Sequence, residues 1–408
     1  MDLKILQICH KMPYPPTDGG SQSMHFTAKG LLSNGIAVKT LAINPTRNFV
    51  SMDLLPADYI ANTSFECVTV DTAIKPFQFF INYFKKESYF TERFNSLSFE
   101  LKIKQLLQEE RFDIVQLEHL YLCKYIATIK RNTDAKIVLR PQNVEHIIWK
   151  RYLVNIRNPL KRLFLQRATE RLKRFEQSVI EELDGIIALT KEDADLFSSF
   201  INNVPVVIVP LGYDYEKIEK YDFNQQFNQK PVVYHLGSMD WMPNIEAIEW
   251  FTEFVIPHLE KKQFSAKLII AGRKMPLKFF QYKSNILDIV EEVDNALEFQ
   301  EDKQIMIVPL LSGSGIRAKI IEGLALGKTI ISTSIGAQGI DYEHGQNILI
   351  ADTPAEFANQ IINCVNSKEL CMTISRNARD LSMRKYHYQN TAKKMIDFYK
   401  ILLNTRNE

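Results

Sequence analysis

Close cysteine pairs are missing from this chain. Its five cysteines, Cys9, Cys67, Cys123, Cys364 and Cys371, are scattered over 408 residues with no CxxC spacing. An odd count without a framework predicts reduced thiols in an intracellular setting and argues against a structural zinc site. A surplus of charge is missing too. Fifty Lys and Arg stand against 48 Asp and Glu, a net charge of +2, too small to imply nucleic acid as a partner. No stretch approaches the roughly 18 consecutive apolar residues that a spanning helix needs. The opening "MDLKILQICHKMPYPP" breaks its apolar run at Gln7 and follows it with His10 and Lys11, unlike a signal peptide. The expectation is a cytoplasmic protein that can rest on the inner face of the cytoplasmic membrane.

What is present is an α/β alternation. The length predicts two domains, each able to bury its own core, and 46% apolar with 24% charged residues suits a globular chain. Short β-rich runs at 3–9, 37–43, 65–70, 112–118, 135–140, 185–190 and 206–212 alternate with helical patterns. The second half repeats the theme at 232–237, 266–272, 286–293, 304–310, 328–333 and 346–351. That pattern predicts parallel sheets between helices. In "NIEAIEWFTEFVIPHLEK", Ile245, Ile248, Phe251, Val255 and Leu259 share one helical face, with Pro243 at the entry. The last helical pattern, "TAKKMIDFYKILLN", lines up Ala392, Met395, Ile396, Tyr399, Leu402 and Leu403. The predicted organisation is an N-terminal Rossmann-like domain over 1–212, a polar linker over 213–231, a second Rossmann-like domain over 232–385 and a final helix over 386–408 that crosses back. Two such domains would face each other across a cleft, with ligands at the carboxyl ends of the strands.

The most informative stretch is "PLLSGSGIRAKIIEGLALGKTIIST", 309–333. An apolar strand ends, the small residues Ser312, Gly313, Ser314 and Gly315 follow, and a helix runs to Gly327 as its C-terminal cap. Small residues at a helix start let backbone N–H groups approach an anion, and Arg317 and Lys319 add formal charge at the same end. A phosphate or diphosphate is the natural guest, with Arg317 able to bind it bidentately. Glu322 stands among Ile320, Ile321, Leu324, Ala325 and Leu326, where a carboxylate would accept hydrogen bonds from vicinal hydroxyls such as those of a ribose. A sugar nucleotide satisfies both ends. The bland alternative is an ordinary glycine-rich turn followed by solvated cations. The dinucleotide fingerprint is not met, because residue 318 is Ala, and the Walker pattern is absent.

This segment resembles the donor site of glycosyltransferase family 4, the retaining GT-B enzymes. "HLGSMDWMPNIEAIEWF" (235–251), "LIIAGRKMP" (268–276), "ILQICHKMPYPPTDGGSQS" near the N-terminus, "RPQNVEHIIWKRY" (140–152) and "VPLGYD" (209–214) fall in the family's order, so the resemblance spans nearly the whole chain. It implies a GT-B fold and transfer of a sugar from a nucleoside-diphosphate sugar to a glycan or lipid-linked acceptor. The implied setting is cell-envelope, exopolysaccharide or lipopolysaccharide synthesis. It implies retention through a front-face, oxocarbenium-like transition state, with the leaving diphosphate helping to deprotonate the acceptor. The cations stabilise the growing charge. No cofactor and no metal are expected, and no DxD motif stands out.

Carried over residue by residue, Glu322 matches the second Glu of the family's Glu-x7-Glu motif, which holds the ribose. The first Glu is Ser314 here, leaving donor sugar hydroxyls to the backbone of Gly315 and Ile316. The loop Gly237–Ser238 lacks the family's usual Arg and Lys, so Arg317 and Lys319 take over the charge, with Arg273 as a second source. Gly19 and Gly20 would form a loop that approaches the diphosphate, or simply a turn after Asp18. Glu118, with His119 beside it, falls where some members place a His next to the donor sugar. Asn143 and Glu145 correspond to the family's His-Asn-Val-Glu motif, with Gln142 replacing the His, and are acceptor-side candidates.

Between 146 and 176, nine Lys and Arg stand against two Glu, interleaved with Trp149, Leu153, Leu160, Leu163, Phe164 and Leu172. This reads as a basic amphipathic surface for anionic lipid, or as a surface helix with one core face. The aromatic, basic run 75–90 would line the acceptor entrance or be core. Two other functions fit a donor site of this kind: a sugar-nucleotide epimerase of the same architecture, and a binding module that has lost turnover.

Overall fold

A computed structural model of the chain describes residues 3–73, 88–154, 156, 158–200, 203–219, 221–313 and 315–404. The chain divides into two compact units, Met1–Gly212 with Tyr388–Glu408, and Tyr213–His387. The stretch read as a linker belongs to the second unit, where it forms short 3-10 turns at Tyr215–Ile218 and Gln225–Asn228.

The first unit holds a seven-stranded parallel sheet in the order β3-β2-β1-β4-β5-β6-β7. Its strands are Lys4–Cys9 (β1), Ala37–Pro45 (β2), Glu66–Val70 (β3), Ile114–Leu117 (β4), Lys136–Leu139 (β5), Gly185–Ala188 (β6) and Val206–Ile208 (β7). The second holds a six-stranded sheet in the order β10-β9-β8-β11-β12-β13. These are Val232–Leu236 (β8), Lys267–Ala271 (β9), Leu287–Val290 (β10), Ile305–Val308 (β11), Thr329–Ser332 (β12) and Leu349–Ile350 (β13). All pairings are parallel. Helices cover both faces of such a sheet, so its central strands are apolar throughout. β4 and β11 are buried at every residue. Strand order reverses between β1 and β4 in one sheet and between β8 and β11 in the other. Loops leaving these pairs diverge, and the crevice between them is where such folds bind ligands.

In the first unit, one sheet face packs against Phe99, Ile103, Leu106, Leu172 and Ile180. The other packs against the final helix, Tyr388–Asn404. Ala392, Met395, Ile396, Tyr399 and Leu402 join Leu3, Ile5, Ile114, Val138 and Ile187 in one core. The helix Gly19–Ser33 lies against it, and Gly30 makes the approach possible: a Cβ there would stand 2.6 Å from the Tyr388 carbonyl oxygen.

In the second unit, Ile248, Phe251, Val255 and Leu259 are buried, with Ile245 packed beside them. The helix begun at Met242 passes through a π-turn at Phe251–Val255 just before Pro257, whose missing N–H interrupts the ladder. The helix Ala318–Ala325 ends in a Schellman motif. The Lys328 N–H donates to Gly323 O at 2.8 Å, the Gly327 N–H donates to Leu324 O at 3.0 Å, and Gly327 adopts φ +62°.

That turn drives Lys328 into the interior, where it is fully buried. Its amine donates to Gln226 Oε1 at 2.8 Å, Gln300 O at 2.6 Å and Lys303 O at 2.8 Å, and contacts the Tyr221 hydroxyl. Burial pulls the amine down to about 7. The amine ties the segment after Tyr213 to the ends of β11 and β12. Replacing Lys328 by Met strands these oxygens without a donor. The expected cost is about 3–5 kcal/mol, read as a fall in the urea or thermal unfolding midpoint.

Candidate functional site

The turn after β11 is built from two glycines in the left-handed region, Gly313 at φ +114° and Gly315 at φ +72°. A side chain at either position would be strained. A Cβ on Gly313 would also stand 2.7 Å from Arg317 Nη2. Gly315 is not helical, so the helix expected from that residue begins at Ala318, with Arg317 as its N-cap. Arg317 is 5% exposed. Its Nη1 donates to Gly315 O at 2.9 Å and its guanidinium lies 5.3 Å from the Trp241 ring centroid. Ile316 is half-buried between Gly315 and Arg317. The Ser312 hydroxyl bonds to the Glu246 carboxylate. Ser314 lies outside the described residues.

Lys319 points its amine inward to Asn244 Oδ1 at 3.0 Å. Asn244 Nδ2 donates in turn to Ser238 O at 2.8 Å, so the loop after β8 and the helix after β11 share one residue. Gly237 makes room for the amine. A Cβ there would stand 2.6 Å from Lys319 Nζ, 2.9 Å from Asn244 Nδ2 and 3.0 Å from His235 Nε2. Burial, then Arg317, brings Lys319 down to about 7. His235 is fully buried on β8, with Nδ1 3.0 Å from Ile307 O and Nε2 without a partner. Burial, then Lys319, holds its pKa well below the imidazole range, so it is neutral. The Ser238 hydroxyl is buried without a partner as well.

One turn beyond Lys319, Glu322 is half-buried and receives Gln300 Nε2 on Oε1 at 2.6 Å. Burial pushes its pKa upward, against the Gln300 hydrogen bond and Lys217. Arg317, Lys319, Glu322, Gly237, Ser238, Gly313 and Gly315 therefore follow the two strands that flank the reversal point of the second sheet. Arg273 sits elsewhere in character: its half-exposed guanidinium is 3.4 Å from Asp240 on the surface, beside Lys274.

In the first unit the expected roles shift. Gly19 and Gly20 open the helix Gly19–Ser33 instead of forming a loop, because Asp18 and Ser21 build a capping box. Glu118 is fully buried. Its Oε1 accepts from Gln7 Nε2 and Gln116 Nε2, each at 2.6 Å, and its Oε2 accepts from Arg140 Nη1 at 3.2 Å. The carboxylate expected to face substrate is held among interior donors from β1, β4 and the end of β5. That is a structural placement, which corrects its reading as a catalytic group.

Beside it, a different group gathers at the carboxyl ends of β1, β4 and β5. Glu145 is buried, with Oε2 accepting from the Tyr121 hydroxyl at 2.7 Å and Oε1 3.4 Å from His119 Nε2. Burial alone would raise its pKa; His119 and Tyr121 hold it below the usual range. His10 stacks on His119 with ring centroids 4.2 Å apart. Burial, then His119, keeps His10 neutral. Asn143 is half-buried close by in sequence.

The basic stretch forms two helices, Glu145–Val154 and Pro159–Ile180. Glu176, fully buried, accepts from the Glu145 and His146 N–H groups and so caps the first. Leu165, Ala168 and Leu172 face the core, while Leu160 and Leu163 are exposed with Lys161, Arg162 and Arg167. Most of the 75–90 run lies outside the described residues.

Residues 230–367 match the family model for Glycosyl transferases group 1. They are a group 1 glycosyltransferase domain. The match begins just before β8 and includes the whole Arg317–Lys319–Glu322 turn. A Klebsiella pneumoniae protein described as an uncharacterized 44.6 kDa protein in the cps region is 24% identical over 295 residues, 68% of this chain and 72% of its own. Among solved structures, the sucrose-phosphate synthase of Thermosynechococcus elongatus superposes with TM-score 0.71 at 13% identity, covering 99% of this chain and 100% of its own. Anabaena Alr3699/HepE, solved with UDP, superposes with TM-score 0.63 at 12% identity, covering 98% and 100%. Two parallel-sheet units of this kind are the GT-B glycosyltransferase fold.

Gln300, His235, Asn244 and the Gln7–Arg140 pair escaped the motif reading. A His inside "VVYHLG" and a Gln inside "KILQIC" were the available signals, polar residues in otherwise apolar strands.

Removing the guanidinium relieves Lys319 of its charged neighbour. In an Arg317→Gln variant the amine is expected to titrate above the wild-type value near 7, as followed by 15N NMR of the lysine Nζ.

Proposed function

We propose that the chain is a retaining glycosyltransferase that moves a sugar from a nucleoside-diphosphate sugar to a glycan or lipid-linked acceptor of the cell envelope. The observation that carries this reading is the set of two inward cations and one inward carboxylate on a single helix. Arg317 and Lys319 stand at the strand-to-helix turn, and Glu322 follows one turn on, opposite a loop that Gly237 keeps free of side chain. A diphosphate at the turn and a ribose at Glu322 would use all three. The Klebsiella relative in a cps region and the UDP held by Anabaena HepE support a nucleotide-sugar donor and a role in surface polysaccharide synthesis.

In this reading Arg317 and Lys319 stabilise charge developing on the leaving diphosphate, which a metal ion would otherwise do. Diphosphate binding favours the protonated Lys319. Its amine sits near 7 in the free protein, so affinity is flat below that pH and falls as pH rises above it. The His10–His119–Glu145 group stands on the side assigned to the acceptor, where a buried carboxylate and neutral imidazoles can orient hydroxyls.

A thermal-shift panel of UDP-, GDP- and ADP-sugars tests the donor site. A ligand at about 100 times its Kd adds roughly 2.7 kcal/mol, so one sugar nucleotide should raise Tm by several degrees and Glu322→Ala should abolish the rise. No shift with any of them overturns the reading. Retention is read by NMR from the anomer first released when that donor is slowly hydrolysed, and conversion to an epimeric sugar nucleotide would replace transferase by epimerase.

The exposed Leu160 and Leu163 with their cationic neighbours are the face we assign to anionic lipid. Co-sedimentation with phosphatidylglycerol vesicles is expected for the wild type and is lost when both leucines become Glu. Equal recovery of the two proteins in the supernatant would remove the membrane from the proposal.

A further inference from the structure

Glu322 does not stand alone. The amide of Gln300, 2% exposed in the short helix Ala296–Glu301, is fully committed around it. Its Nε2 donates to Glu322 Oε1 at 2.6 Å and to Ala296 O at 3.0 Å, while its Oε1 accepts from the Tyr234 hydroxyl at 3.0 Å. This arrangement fixes which way the amide faces. Flipped, its oxygen would confront a carbonyl and a carboxylate, two acceptors with no proton between them. The backbone of the same residue is pinned independently, since Gln300 O accepts from Lys328 Nζ at 2.6 Å.

From this geometry we infer that Gln300 is the positioning residue of the donor site: it holds one oxygen of Glu322 and presents the other to the sugar hydroxyls of a nucleotide, with Tyr234 locking its orientation. The inference rests on Glu322 taking those hydroxyls, as proposed above. A carboxylate with neither oxygen anchored would rotate, and binding would have to supply the ordering that Gln300 supplies beforehand.

A second effect is electrostatic. The groups facing Glu322 are Gln300, Lys217 from the turn Tyr215–Ile218, Tyr213, and Tyr234 of β8. Burial raises the carboxyl, and Gln300 is foremost among the groups opposing it, followed by Lys217. Without Gln300 the carboxyl therefore protonates at higher pH, and a protonated carboxyl is the poorer acceptor.

UDP binding by calorimetry between pH 5 and 8 decides the matter, using wild type, Glu322→Ala, Gln300→Met and Tyr234→Phe. Gln300→Met keeps the side-chain length and leaves the backbone bond to Lys328 in place. Tyr234→Phe removes only the lock, and keeps the question answerable if the first variant folds poorly. The expected result is a loss of UDP affinity of about tenfold or more in Gln300→Met, the worth of one charge-assisted hydrogen bond. Its acid limb should move to higher pH. Tyr234→Phe should show a smaller loss. If Glu322→Ala loses UDP while both other variants bind it as the wild type does, with an unmoved acid limb, the positioning role is overturned and the donor site stands. If Glu322→Ala binds UDP like the wild type, or the wild type binds none, both fall, because a carboxylate that takes no ligand has nothing to be positioned for.

Discussion

A carboxylate taken out of water has to be given donors, and the source of those donors decides what it can still do. The molecule holds two such groups of opposite kind. Glu118 has both oxygens occupied from within, by Gln7, Gln116 and Arg140. Glu322 has Gln300 on one oxygen only. The same accounting covers the buried cations. Lys328 spends its protons on oxygens of its own unit, whereas Lys319 is matched by the neutral Asn244 beside a second cation. A satisfied interior charge braces the fold; an incompletely satisfied one, beside a turn with no side chains, is disposed to take a ligand.

The position of these groups follows from the sheets. In each unit the strand order reverses next to the first strand, and the diverging loops leave space at the carboxyl ends. The second unit fills the rim of that space with glycines in conformations other residues avoid, and with a helix whose first turn carries both cations. The first unit rims it with His10, His119 and Glu145. One rim is cationic and open to backbone approach; the other is aromatic and neutral apart from one carboxylate. That division suits an anionic donor on one unit and a polyhydroxyl acceptor on the other.

Much of the framework was legible in the residues. All thirteen strand segments form strands, because a strand buried on both faces must be apolar at nearly every position. Most end a residue or two early, and 346–351 keeps only Leu349–Ile350 as an edge. The face of the final helix was legible for the same reason, since its period matches the core it joins. The Arg317–Lys319–Glu322 turn could be seen because its parts are adjacent in sequence. Glu118 could not be judged that way. Its partners come from positions 7, 116 and 140, and only the sheet brings them together. Gln300 was invisible for a related cause. It lies 22 residues before Glu322, in a short helix with no motif of its own. The start of the helix after β11 was misplaced by three residues, because the φ of a glycine is not written in its neighbours.

The final helix completes a core whose other members include Leu3, Ile5 and Ala28. During synthesis, the residues that will lie against it are made first and wait for nearly four hundred others. The whole of Tyr213–His387 leaves the ribosome before that apolar face is covered. A stalled or truncated chain would thus carry a finished second unit and an unfinished first one, sticky along one side of its sheet, an obligation that falls to chaperones and not to the fold.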